Sequence, residues 1–162
     1  VQLARAYSVI ANGGWLVSLG IARGAPSFPR VRAIKESTAQ SILSMLAVAV
    51  NEGTGRNAQV QGFNVAGKTG TARKLLDGEY TSKAHMALFA GIIPADAPQL
   101  VGVVVIDEPR GEHYTGGQVA APVFSEIMNE ATRLLNIEPG MSGGQPVIEN
   151  FATIRSPLWS AF

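Results

Sequence analysis

The densest chemistry in the chain lies in Lys68-Thr69-Gly70-Thr71, an ammonium and two hydroxyls around a residue without a side chain. Two different chemistries use such a set. Taken with the residues before it, Gly62-Phe63-Asn64-Val65-Ala66-Gly67-Lys68-Thr69 fits G-x-x-x-x-G-K-[ST], the pattern of a loop that cradles nucleotide phosphates. Val101 to Ile106 followed by Asp107-Glu108 then has the form of the acidic strand end that holds the magnesium ion, and the pair proposes a P-loop nucleotidase on segment 62–69. Such a loop needs an apolar strand before its first glycine and a helix directly after the lysine. Arg56-Asn57-Ala58-Gln59-Val60-Gln61 is too polar for that strand, and Gly70 with the Asp77-Gly78 turn leaves no room for that helix. Asp107-Glu108 is then expected as a strand end entering a Pro-Arg-Gly turn.

The other chemistry is that of a strand edge facing a cleft. By the two-residue period of a strand, Thr69 and Thr71 share a face. Two hydroxyls beside an ammonium suit a carboxylate, Gly70 permits close approach of a ligand backbone, and a strand N–H can serve as one oxyanion donor. Strict alternation sends Lys68 to the face opposite Thr69, so the lysine must sit where it can curl inward.

The surrounding elements follow from periodicity. Leu3, Tyr7, Ile10 and Ala11 fall at helical spacing, ended by Gly13-Gly14. No Ser, Thr, Asp or Asn precedes this helix, so the chain is expected to be a fragment whose N-terminal neighbour is missing. Trp15 to Leu19 reads as a short strand and residues 20–30 as loop. Ser37 with Gln40 forms an expected capping box for a helix carrying Ile42, Leu43, Leu46, Ala49 and Val50, closed by Asn51, Gly53 and Gly55. Strands are expected over 63–76, Met86 to Ile93 and Leu100 to Ile106, joined through Asp77-Gly78 and the Pro94–Pro98 connection as an antiparallel meander. After a turn at Gly116-Gly117 comes a helix with Pro122 in its first turn and a buried stripe of Val123, Phe124, Ile127, Met128, Ala131, Leu134 and Leu135, stopped by Pro139-Gly140. The fold class is α+β, an antiparallel sheet flanked by helices.

Composition narrows the functions. Of 162 residues 15% are charged, against roughly 25% in typical domains, so part of the surface is expected to pack against further polypeptide. A net charge of +1 without a basic run excludes the usual nucleic-acid binder. The absence of cysteine excludes a thiol nucleophile, a disulfide scaffold and a Cys-ligated zinc, and two histidines leave little material for other metal sites. No cofactor or metal is expected, and no apolar run approaches the ~18 residues of a membrane span.

Lys68-Thr69-Gly70-Thr71-Ala72-Arg73, then Leu88 to Pro94, Val103 to Pro109, Gly116-Gly117 and Ala120 to Phe124, occur in an order that resembles the C-terminal part of the transpeptidase domain of class B penicillin-binding proteins. The likeness is greatest to the cell-division peptidoglycan D,D-transpeptidases; Gln2 to Tyr7 also agrees. The resemblance covers roughly residues 1–140, leaving 141–162 as a tail or linker. It implies a serine acyl-enzyme that cross-links D-Ala-D-Ala stem peptides and is acylated by β-lactams. The family builds its site from Ser-x-x-Lys, Ser-x-Asn and Lys-Thr/Ser-Gly; only the last occurs here, so the isolated chain is expected to lack the nucleophile and to be inactive. By this resemblance Lys68 joins the proton-transfer network, Thr69 and Thr71 bind the substrate carboxylate, the Thr71 N–H is half of an oxyanion hole, Gly70 lets the ligand lie against the strand, and Arg73 and Tyr114 border the cleft. His85 and His113 read as ordinary polar residues. The implied partners are the missing N-terminal part of the domain, peptidoglycan stem peptides, β-lactams and membrane proteins of the division machinery. The implied location is the periplasmic face of the inner membrane, with an N-terminal anchor. A non-catalytic member of the same fold is the remaining alternative.

Overall fold

The computed structural model describes residues 1–20, 29–76 and 79–139. Helix α1 (Gln2–Ala11) ends as its sequence predicts. Gly13, at φ 63°, donates to Ile10 O and the Gly14 N–H to Val9 O, the paired bonds of a Schellman cap. Strand β1 (Trp15–Leu16) is shorter than expected and pairs antiparallel with β2 (Val31–Arg32), which the sequence reading did not foresee. Most of the expected loop at 20–30 lies outside the described residues.

Helix α2 (Glu36–Asn51) begins one residue before the expected cap. Lys35 takes the cap position, and Ser37 sits inside the first turn, where its carbonyl accepts from Ser41 Oγ at 2.9 Å. The cause is upstream: Ala33 and Ile34 donate to Gly14 O, so the chain leaves its strand pairing only at Lys35. The capping box is therefore not formed.

Strands β3 (Ala66–Leu76), β4 (Glu79–Ile93) and β5 (Leu100–Asp107) make the expected antiparallel meander in the order β3-β4-β5. The Asp77-Gly78 turn lies outside the described residues. One sheet face packs on α1 and α2 through Ala66, Ile92 and Val101 against Tyr7, Ile10, Leu43 and Leu46. The other packs on α3 (Ala121–Leu134), with Phe89 and Phe124 fully buried and their rings 4.8 Å apart. Gly91 pairs with Gly102 at the centre of that face. A Cβ on Gly91 would stand 2.7 Å from the Phe124 ring and one on Gly102 2.2 Å from Met128 Cε, so the pair is what seats the helix.

The Gly116-Gly117 segment is not a simple turn. Gly116–Ala120 forms a five-residue π-turn that runs directly into α3, with Pro122 in the first turn as expected. The stripe of α3 is narrower than predicted: Ile127, Leu134 and Leu135 are 51%, 75% and 60% exposed. The helix also stops before Pro139. Asn136 at φ 51° donates to Arg133 O and Ile137 to Thr132 O, a second Schellman cap that needs no proline.

Candidate active site

Among the described residues β3 is an edge strand, paired only with β4. Lys68 pairs with Ala90, Thr69 with Phe89, Gly70 with Leu88 and Thr71 with Ala87. Alternation puts Thr69, Thr71 and Arg73 on the face that carries α3, and Lys68 on the other. Lys68 nevertheless joins its neighbours. Its Nζ curls back to donate to Thr69 O at 3.0 Å and to Thr69 Oγ1 at 3.4 Å.

Both threonine hydroxyls are held by other segments. Thr69 Oγ1 shares a 2.8 Å hydrogen bond with Thr54 Oγ1, from the loop after α2. Thr71 Oγ1 accepts the Gly116 N–H at 3.0 Å, at the start of the π-turn. Because Thr71 accepts there, its own proton is left to donate to a ligand oxygen. Asn57 Nδ2 donates to Gly117 O at 2.8 Å, tying the two supporting segments together. Gly116 lies against the strand itself: a Cβ there would stand 2.3 Å from Leu88 O and 2.5 Å from Gly70 O. The space beside Gly70 is taken by Leu88, whose Cγ would be 2.8 Å from an added Cβ.

Arg73 is exposed and pairs across the ladder with His85. The His85 ring stacks on Tyr114 with centroids 4.4 Å apart, and Tyr114 is 45% exposed. The candidate residues are thus brought together: Thr69, Thr71 and Arg73 on one face of β3, Tyr114 joined to that face through His85, and the Lys68 ammonium at the Thr69 carbonyl. Thr54, Asn57, Gly116 and His85 were not singled out as site residues by sequence reasoning. Gly116-Gly117 was visible as a pair, but nothing in the spacing of Thr54 or Asn57 signals contacts made 15 and 60 residues away.

The phosphate-loop alternative fails on this geometry. Lys68 and Thr69 lie inside an extended strand of 11 residues, so no helix N-terminus follows them. Gly62, at φ 82°, sits in an irregular turn rather than at the end of a buried strand. Asp107 and Glu108 are paired with Lys74, at 3.0 and 2.7 Å.

Comparison with known proteins agrees with this geometry. Residues 1–129 match the family model described as the penicillin binding protein transpeptidase domain. The chain is 40% identical over 159 residues to a probable peptidoglycan D,D-transpeptidase, PenA, of Neisseria flavescens, covering 97% of this chain and 38% of that protein. It is 41% identical over 141 residues to the peptidoglycan D,D-transpeptidase FtsI of Escherichia coli K12, covering 86% of this chain and 24% of the relative. Among solved structures it is similar to the apo transpeptidase domain of penicillin-binding protein 3 from Burkholderia pseudomallei. That likeness has a TM-score of 0.77 and 40% identity over 86% of this chain and 43% of that one. The chain therefore spans less than half the length of each of these relatives. With the α+β architecture, the Lys-Thr-Gly-Thr edge strand and these matches in agreement, the chain belongs to the penicillin-binding protein transpeptidase domain family.

Proposed function

We propose that this chain forms one wall of a peptidoglycan D,D-transpeptidase site, residues 1–140 being the C-terminal part of the transpeptidase domain and 141–162 a tail or linker. The observation that carries the reading is the edge strand β3, on which Lys68 Nζ, Thr69 Oγ1 and Thr71 Oγ1 are each held in place. A serine on polypeptide upstream attacks the carbonyl of the penultimate D-alanine of a stem peptide. The peptide C–N bond breaks, terminal D-alanine leaves, and the amine of a second stem resolves the ester. Thr69 and Thr71 take the terminal carboxylate by charge-assisted hydrogen bonds.

Within a strand, the N–H and C=O of residues 69 and 71 point to one side. The Thr71 N–H therefore lies on the flank where Lys68 meets the Thr69 carbonyl. There it serves as one oxyanion donor, worth about 3 kcal/mol of transition-state stabilisation, while Lys68 keeps the proton-transfer network positive. β-Lactams carry the same carboxylate and a reactive amide, and acylate the same serine. Exposed Val31, Met45, Val105, Ile127 and Leu134 support further polypeptide packing on this chain. The same reading expects the full-length protein at the periplasmic face of the inner membrane, working with the division machinery on peptidoglycan, the substrate that the relatives' names give.

Fluorescent-penicillin labelling of the full-length protein, beside the 162-residue chain alone, tests this on a denaturing gel. Label is expected on the full-length protein, lost or strongly slowed by Lys68→Ala, and absent from the 17.0 kDa chain. Covalent label on the isolated chain would place a nucleophile within it and overturn the assignment.

A further inference from the structure

The ladder between β3 and β4 shifts register after Arg73, leaving residues 81–84 of β4 as well as Lys74 of β3 without register partners. Arg73 pairs with His85, but the next pair is Leu75 with Tyr80, so Lys74 has no partner across the ladder. Its side chain is only 26% exposed all the same. The ammonium reaches over β4 to two carboxylates at the far edge of the sheet, Glu108 Oε1 at 2.7 Å and Asp107 Oδ1 at 3.0 Å. Asp107 ends β5, and Glu108 turns the chain at φ 52°. The Glu108 N–H donates to His85 O at 2.9 Å. One tether thus begins at the register shift in β3 and ends on the turn that holds the backbone of His85, the cross-strand partner of Arg73.

Alternation places Lys74 on the sheet face opposite Arg73. A side chain anchored on one face of a strand fixes the direction of its neighbour on the other. We propose that Lys74 is a positioning residue, whose clamp on Asp107 and Glu108 aims Arg73 beside the His85–Tyr114 stack and over the Thr69–Thr71 face where the ligand carboxylate binds. The inference rests on the reading of that face given above. It assigns the ion pair a geometric task, because exposed pairs add little to stability by themselves.

Kinetics of penicillin acylation in the full-length protein test it. Lys74→Met should raise the penicillin concentration for half-maximal acylation about threefold to fivefold and leave the limiting rate in place. Lys74→Arg should restore it. Glu108→Gln, a milder cut of the same clamp, should move it in the same direction by less. In an Arg73→Ala background Lys74→Met should add nothing, which a general loss of stability would not reproduce. An unchanged half-saturation in Lys74→Met, an equal loss in limiting rate, or the same factor added on top of Arg73→Ala would each overturn the clamp while wild-type acylation stands. Failure of the wild-type protein to be acylated would overturn the functional reading, and this inference with it.

Discussion

Substituting Gly116 by alanine isolates the contact between the π-turn and the site strand. Its φ needs no glycine, so the effect is spatial. The added Cβ stands 2.3 Å from Leu88 O, 2.5 Å from Gly70 O and 3.1 Å from Gly70 N. Carbon meets a carbonyl oxygen at about 3.3 Å, so the separation must open by about 1 Å. Gly70 and Leu88 are register partners held within the β3–β4 ladder, so the π-turn is the part that moves. The bond from the Gly116 N–H to Thr71 Oγ1, now 3.0 Å, then stretches beyond hydrogen-bonding range. Overpacking costs about 1–3 kcal/mol and the lost bond about 1 more. A shift of this size at a reacting centre can slow the chemistry by up to about a hundredfold. Gly116→Ala in the full-length protein should therefore lower the Tm and slow penicillin acylation at least about tenfold. Thr71→Val, which removes the acceptor without a clash, separates the two effects. Unchanged melting and unchanged acylation in Gly116→Ala would show that the turn is not pressed on β3, and the reasoning would fail.

Two further outcomes follow from the packing and the charges. Phe124→Ala empties the centre of the α3 face, where the ring is fully buried, and should cost about 3–5 kcal/mol by denaturant unfolding; a loss under about 1 kcal/mol would mean that α3 carries little of the core. The Lys74 ammonium is held above its ordinary pKa first by the hydrogen bond it donates to Glu108 and then by the one it donates to Asp107. Because the folded value is raised, its contribution is complete below the ordinary lysine value and fades as pH rises through the raised one. The difference between wild type and Lys74→Met, followed by unfolding midpoints from neutral pH upward, should hold until above the ordinary lysine range, and an earlier collapse would contradict the pairing.

What the sequence made legible was local. The β-branched apolar run of Leu100 to Ile106 and the apolar spacing in Ile42 to Val50 fix their elements, and Gly13-Gly14 fixes the end of α1, because each acts within a few residues. The cap of α2 was misplaced because Gly14 O, which takes the N–H groups of Ala33 and Ile34 from far along the chain, decides where the strand lets go. The end of α3 was misplaced because Asn136 can take the left-handed conformation that glycine usually supplies. In the site, the face shared by Thr69 and Thr71 was readable from period alone. The hydroxyl of Thr54 and the amide of Gly116 were not, since both arrive through tertiary closure. The inward turn of Lys68, which strict alternation made awkward, is resolved by a side chain long enough to return to the next residue's carbonyl.

The π-turn at Gly116–Ala120 also bears on which lengths of chain the family can tolerate here. Gly116 must aim its N–H at Thr71 while Phe124, eight positions later, must enter the core between Gly91 and Gly102. An inserted or deleted residue between them rotates one against the other by about 100°, and either the amide or the ring is lost. Substitutions at Gln118, which is exposed, leave that phase untouched. Drift in composition is thus open to this segment, whereas drift in length is closed to it, and homologues should align through 116–124 without gaps even where the β3–β4 hairpin varies.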